Sequence, residues 1–174
     1  NKLKAIYLGN VFGILDFNRL SYLANNYREI DFILIGPAKK SNLSENKELS
    51  DEIELADSDN IFLIGEVNSQ NIHQYLIKGD INLLMIKDRK NIPNLNSHKL
   101  MSYFYSGNIT ISDALYDYSN FEKYFFVQCE NSESYNLNFK EVVDNIKNYN
   151  NRQLMDDRIN FALKNSYRKK VDEI

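Results

Sequence analysis

The sequence predicts a doubly wound α/β fold: a mostly parallel sheet of about six strands with helices on both faces. Three observations predict it. Short, nearly continuous apolar runs recur, among them KAIYLGN, DFILIGP, NIFLIGEV and INLLMIK. Runs of this kind belong to strands covered on both sides. Between them lie segments whose apolar residues fall at helical spacing. Glycines close the runs or the segments between them, at Gly9, Gly36, Gly65, Gly79 and Gly107. No internal repeat of fixed period competes with this reading.

Composition narrows the class. Of 174 residues, 43% are apolar and 26% charged, the balance of one ordinary globular domain with a real core. A formal charge of −3 gives no ground for nucleic-acid binding. The lone Cys129 excludes an internal disulfide and a cysteine metal cluster, and suits a reducing compartment. No apolar run reaches the roughly 18–20 residues that span a bilayer, and no segment reads as a secretory leader. The chain begins at Asn1 and enters strand-like sequence almost at once. Residues 1–174 therefore read as a single domain from a longer protein, with 151–174 as a closing helical tail.

In chain order, residues 4–10 read as a buried strand. Gly9 and Gly13 flank the loop after it, and Asp16 suits the cap of a helix with Phe17, Leu20, Leu23, Ala24 and Tyr27 on its apolar face. The two glycines fit either a tight turn or a backbone approach to phosphate. Residues 31–37 read as the second strand, and 38–59 as a polar surface excursion in which Lys39 and Lys40 are solvated. Residues 60–67 read as the third strand. Asn68 or Ser69 caps the helix after it, Ile72, Tyr75 and Leu76 form its face, and Gly79 stops it. His73 takes a structural or exposed place there. Residues 81–87 read as the fourth strand.

Residues 87–96 form a loop carrying Lys87, Arg89 and Lys90, beyond the carboxyl end of a strand, where open parallel sheets bind ligands. The stretch 96–113 organises the chain. Asn96 and Ser97 suit helix caps. Leu100, Met101, Phe104 and Tyr105 make an apolar face, Gly107 ends the helix, and Ile109 and Ile111 enter a strand. Lys99 and Ser102 share a face near the helix start, a place suited to an anion such as a diphosphate. Residues 124–129 read as an edge strand ending at a buried Cys129. NSESYNLN reads as a loop, with Asn138 capping a helix that carries Phe139, Val142, Val143 and Ile146. The aromatic run LYDYSNFEKYFF reads as packing. No zinc spacing, nucleophile elbow, Walker lysine loop or acid/base pair of carboxylates stands out.

The stretch resembles the donor-binding segment of group 1 glycosyltransferases of the GT-B fold, where a Pro-x-Lys-x-x-Glu-Tyr-x-x-x-Gly helix precedes a buried strand. Lys99, Leu100, Tyr103, Ser106 and Gly107 match. Ser97 stands at the proline, Ser102 at the ribose-binding glutamate, and Asn94 where a second acidic residue is frequent. Residues 60–87 are similar to the family's preceding strand–helix–strand pattern, with Asp80 at its aspartate. INFALKNSYRKKVDEI resembles its closing helix, with Tyr167 at the usual tryptophan.

The resemblance implies one Rossmann-like half of a GT-B fold that binds a UDP- or GDP-linked sugar as substrate, with no cofactor or metal. It implies transfer of a hexose to a glycan, lipid or protein acceptor held by a missing N-terminal domain. Gly9, Asn10, Gly13, Lys87, Asn96, Ser97, Lys99, Leu100 and Ser102 are the donor-binding residues it implies. Lys99, with Lys87 second, would stabilise the leaving diphosphate, and Ser102 would face the ribose. The setting it implies is bacterial polysaccharide or glycoprotein synthesis in the cytoplasm, open to association with the inner face of the plasma membrane. Two other readings stand beside it. One is a non-catalytic GT-B-like domain that binds a partner protein in a glycosyltransferase complex, favoured by Ser102 and Asn94. The other is half of a sugar-nucleotide epimerase.

Overall fold

The computed structural model describes residues 2–37, 58–87 and 98–165. The chain runs β1 (Leu3–Leu8), α1 (Val11–Ile14), α2 (Phe17–Asn26), β2 (Ile30–Ile35), β3 (Ile61–Gly65), α3 (Ile72–Leu76) and β4 (Ile81–Leu84). It continues through α4 (His98–Ser106), β5 (Ile109–Asp113), β6 (Val127–Cys129), α5 (Ser132–Asp144), α6 (Ile146–Tyr149) and α7 (Arg152–Lys164). The strands form one sheet in the order β3-β2-β1-β4-β5-β6, and every pair is parallel. The chain builds outward from β1 to β3, then returns to the other side of β1 for β4. The direction reverses between β1 and β4, and this switch point is where such sheets open a crevice.

Alternation along each buried strand sends side chains to two cores. Ala5, Tyr7, Phe32, Leu34, Leu83 and Ile111 face α2 and α5, whose Leu20, Leu23, Tyr135 and Phe139 cover them. Ile6, Leu8, Ile35 and Leu84 face Leu76 of α3 and Leu100, Tyr103 and Phe104 of α4. Both faces of β1, β2, β4 and β5 are thus closed, and each fully buried Leu, Ile or Phe contributes about 1.5–3 kcal/mol. The run at β3 departs from the expectation of a strand covered on both sides, since at this sheet edge Phe62, Leu63 and Ile64 are exposed. The aromatic run packs as expected. Phe104 meets Phe125 at 5.2 Å between ring centroids, and Phe121 meets Phe161 of α7 at 5.0 Å.

Three polar side chains tie the connections, Asn60 and Arg158 buried and Asp80 half-buried. Asn60 Nδ2 donates to the carbonyls of Ala24, Tyr27 and Ile30 at 3.0–3.1 Å, holding the end of α2 to the start of β2. Asp80 Oδ2 accepts from the Lys4 N–H at 2.8 Å, fixing β4 beside β1. Arg158 of α7 is fully buried. Its guanidinium donates to the carbonyls of Phe125 and Gly107 at 2.9 Å and of Tyr149 at 2.8 Å. Burial pulls its pKa down to about 10, so it stays charged at neutral pH and is solvated by carbonyls in place of water.

Two further expectations change. Asn138 lies inside α5, not at its start. The cap is Asn131, whose Oδ1 accepts from Ser134 N at 2.8 Å while Ser134 Oγ accepts from Asn131 N at 3.1 Å. This reciprocal box starts the helix seven residues before Asn138, in the polar run that reads as a loop. The edge strand β6 holds three residues, because Phe125 and Phe126 N–H groups turn back to Glu122 O. The expectations for residues 38–57, Arg89, Lys90, Asn94, Asn96, Ser97, Tyr167 and Val171 fall outside the described residues.

Candidate functional site

The ends of β1, β2 and β3 stay paired one step past the strands. Gly9 N donates to Ile35 O at 2.8 Å and Gly36 N to Gly65 O at 2.9 Å, while Val11 N reaches Pro37 O at 3.2 Å. This close approach needs glycine. Gly36 has φ +138°, and a Cβ on it would overlap the Gly9 carbonyl. Over these ends lies an open cleft of about 510 Å³. That is the size of ordinary small-ligand sites, about 300–1,000 Å³. The end of β1 lines it with Leu8, Gly9 and Asn10, and the end of β2 with Ile35, Gly36 and Pro37. Glu66 and Val67 follow β3, Ile72 begins α3, and Lys99 and Ser102 come from α4.

Lys99 is the charge at the β1 end. Its ammonium sits so close over Gly9 that a Cβ there would collide with it, and the Tyr7 hydroxyl lies against the same glycine. Burial pulls the Lys99 pKa down. Among the described residues, none pairs with its ammonium. A half-buried cation without an anion is an unfavourable arrangement that a bound anion relieves.

Tyr103, one turn after Lys99 in α4, sets where that ammonium goes. Its hydroxyl accepts from Leu8 N at 2.7 Å and donates to Leu83 O at 2.9 Å. It therefore stitches α4 to both strands of the switch point. The phenol is wholly buried, and its pKa is pushed up by burial.

A second charged network holds the other side of the sheet. Arg19 Nη1 of α2 pairs with Asp113 Oδ1 at 2.6 Å, and Asp113 Oδ2 accepts from Ile86 N at 2.7 Å. Arg19 Nη2 also meets Asp16 Oδ2 at 3.2 Å and Ser132 Oγ at 3.2 Å, and the guanidinium lies 4.7 Å from the Tyr135 ring centroid. These groups are matched to one another and do not line the cleft. Their role is to hold α2, β5 and α5 together.

Of the donor-binding residues the sequence suggests, Gly9, Asn10, Lys99 and Ser102 meet at the cleft. Leu100 does not. It is fully buried in the core beneath α4, because it projects from the helix toward the sheet. Gly13 is exposed in α1, where its N–H donates to Asn10 Oδ1 at 2.9 Å, so it closes a turn beside the cleft without lining it. Lys87 follows β4, and its N–H donates to Ile14 O at 2.7 Å; it also lies outside the lining. Sequence reasoning missed Gly36, Pro37, Glu66, Val67 and Ile72. The signal available for Gly36, Pro37, Glu66 and Val67 was their place at the carboxyl ends of the second and third apolar runs, on the same edge of the sheet as the end of β1. His73 rests on the Tyr105 ring at 4.4 Å, and burial pushes the Cys129 thiol up to about 12. Among the described residues no three His, Cys, Asp or Glu side chains gather to hold a metal ion.

No protein-family model and no curated protein matches this chain. Solved structures do match its fold. That fold is a Rossmann-like half of the GT-B fold. HepE from Anabaena, in complex with UDP and glucose, aligns with TM-score 0.71 at 13% identity over 93% of this chain and 44% of that one. Sucrose-phosphate synthase from Thermosynechococcus elongatus aligns with TM-score 0.67 at 10% identity over 100% of this chain and 47% of that one. UDP-GlcNAc 2-epimerase from Neisseria meningitidis, bound to UDP-GlcNAc, aligns with TM-score 0.59 at 12% identity over 89% and 39%. The chain thus spans less than half the length of each. At these identities the likeness is one of fold, and the architecture serves more than one chemistry.

Proposed function

We propose that this chain is the nucleotide-sugar-binding domain of a glycosyltransferase. A separate acceptor-binding domain would complete it, and the pair would transfer a hexose to a glycan, lipid or protein. The observation that carries the reading is the Lys99 ammonium: half-buried, unpaired among the described residues, and held over Gly9 at the switch point. A sugar diphosphate placed there meets Lys99, the Gly9 and Asn10 backbone and the amino end of α4. Ser102, one turn on, faces the ribose and offers a single hydroxyl. During transfer the bond from the anomeric carbon to the diphosphate oxygen breaks as that carbon bonds to an acceptor hydroxyl oxygen, whose proton is released to solvent, and negative charge grows on the leaving diphosphate. A preplaced ammonium stabilises that charge without reorganising, so the reading calls for no metal. The solved neighbours that hold UDP or UDP-sugars support it by analogy of fold. The setting we propose is bacterial polysaccharide synthesis at the cytoplasmic side of the membrane. Among the described residues no helix is long and apolar enough to cross a membrane.

Calorimetric titration of the chain with GDP and UDP tests the reading. One of them binds, and Lys99→Met, which keeps the apolar stem, weakens binding at least about 10-fold, the loss of one charge-assisted contact. A second reading, a non-catalytic domain that binds a partner protein, is favoured by Ser102, which stands in the cleft where the resemblance implies a glutamate. Absence of binding at millimolar nucleotide, with the fold intact, would decide for it.

A further inference from the structure

We infer that Glu66 reads the base of the bound nucleotide and selects guanine over uracil. The inference rests on the cleft being a nucleoside diphosphate site. Among the described residues, the cleft is lined by one cation and one carboxylate, Lys99 and Glu66. They stand at opposite ends of it. Lys99 lies over Gly9 at the end of β1, and Glu66 follows β3. One strand, β2, separates the two, so two strand spacings, about 10 Å, lie between the ends. A nucleoside laid across β2 spans that distance. With its diphosphate at Lys99, the pairing edge of its base arrives at Glu66. Apolar Ile35 and Pro37, at the end of β2, line the stretch between, and Val67 and Ile72 add apolar surface to the lining on the β3 side, as a base ring requires.

Glu66 is exposed at the cleft mouth and pairs with no other described residue. The preceding Gly65 has φ +83° and, among the described residues, open space where its Cβ would be. An ionised carboxylate accepts hydrogen bonds and donates none. Guanine presents two adjacent donors, N1–H and the N2 amino group, which a carboxylate accepts in parallel. Uracil presents N3–H between two carbonyl oxygens, and both oxygens repel a carboxylate. Adenine presents one amino group beside the N1 lone pair. Of the three, guanine alone matches Glu66 at both oxygens.

The test is calorimetry on the chain with GDP, UDP and ADP, for the wild type, Glu66→Gln and Glu66→Ala. Wild type binds GDP at least about 10-fold more tightly than UDP or ADP, the discrimination of one good bidentate pair. Glu66→Gln and Glu66→Ala lower GDP affinity at least about 10-fold and leave UDP within about 3-fold. A wild type that prefers UDP or ADP overturns the inference. So does a GDP preference that survives both substitutions. In those two cases the cleft remains a nucleotide site. If no nucleotide binds, the reading of the cleft falls together with the inference.

Discussion

Tyr103→Phe removes one oxygen atom from the switch point and leaves the ring in place. The hydroxyl lost is the partner of Leu8 N at 2.7 Å and Leu83 O at 2.9 Å. Leu8 is 8% exposed and Tyr103 is fully buried, so bulk water does not readily replace the hydroxyl. Orphaning a buried N–H costs about 1–3 kcal/mol, and the carbonyl adds a smaller loss, since it has a second lone pair. The sum is about 2–3 kcal/mol of stability. For a chain of this size that lowers Tm by about 5–10 °C. Urea unfolding followed by circular dichroism measures it, with the midpoint shifted and the slope unchanged. Nucleotide affinity falls as well, because Lys99 lies one helical turn before Tyr103 and loses its fixed place over Gly9. A stability loss under about 0.5 kcal/mol, with affinity unchanged, would refute the argument that this hydroxyl positions α4.

Gly36→Ala forces a Cβ into the Gly9 carbonyl at a φ of +138°, where L side chains are strained. We expect a loss of more than about 2 kcal/mol in the same urea assay and loss of nucleotide binding by calorimetry, since the β1 and β2 ends must part. Cys129 supplies a pH prediction. Burial raises its folded pKa to about 12 from an unfolded value near 9, so the thiol stays neutral in the fold. Its contribution to stability is full below the unfolded pKa and is lost as pH rises through the window up to about 12. Buried Tyr103 and Tyr135, both pushed up by burial, act in the same direction. Melting curves from pH 8 upward should therefore fall, and Cys129 should react with a disulfide reagent only after denaturant is added.

How far the sequence carries depends on the range of each interaction. The four apolar runs as strands, the glycines that close three of them and the Asp16 cap are local signals, and each reappears in place: Asp16 Oδ1 accepts from Arg19 N at 3.1 Å. Lys99 and Gly9 are legible separately, one by its place at a helix start and the other at a strand end. Their contact is not, because it depends on which strand lies beside which. Glu66 and Gly36 stayed hidden for the same reason. They matter only once β3, β2 and β1 are ordered side by side. Arg158 looks like a solvated charge in a polar helix, and its carbonyl cage is drawn from residues 9 to 51 positions away. Asn138 misled because Asn131, Ser134 and Asn138 all suit a cap, and reciprocal bonding to Ser134 decides for Asn131. Leu100 sits beside Lys99 in the motif, but one step along a helix turns it into the core.

The most direct test of the central claim is backbone amide NMR of the chain during a titration with GDP. The account predicts saturating shifts at Gly9, Asn10, Gly36, Val67, Lys99 and Ser102, with small changes around Arg158 and β6. Shifts centred elsewhere, or none at millimolar GDP and UDP, would contradict the assignment of the switch-point cleft as a nucleoside diphosphate site.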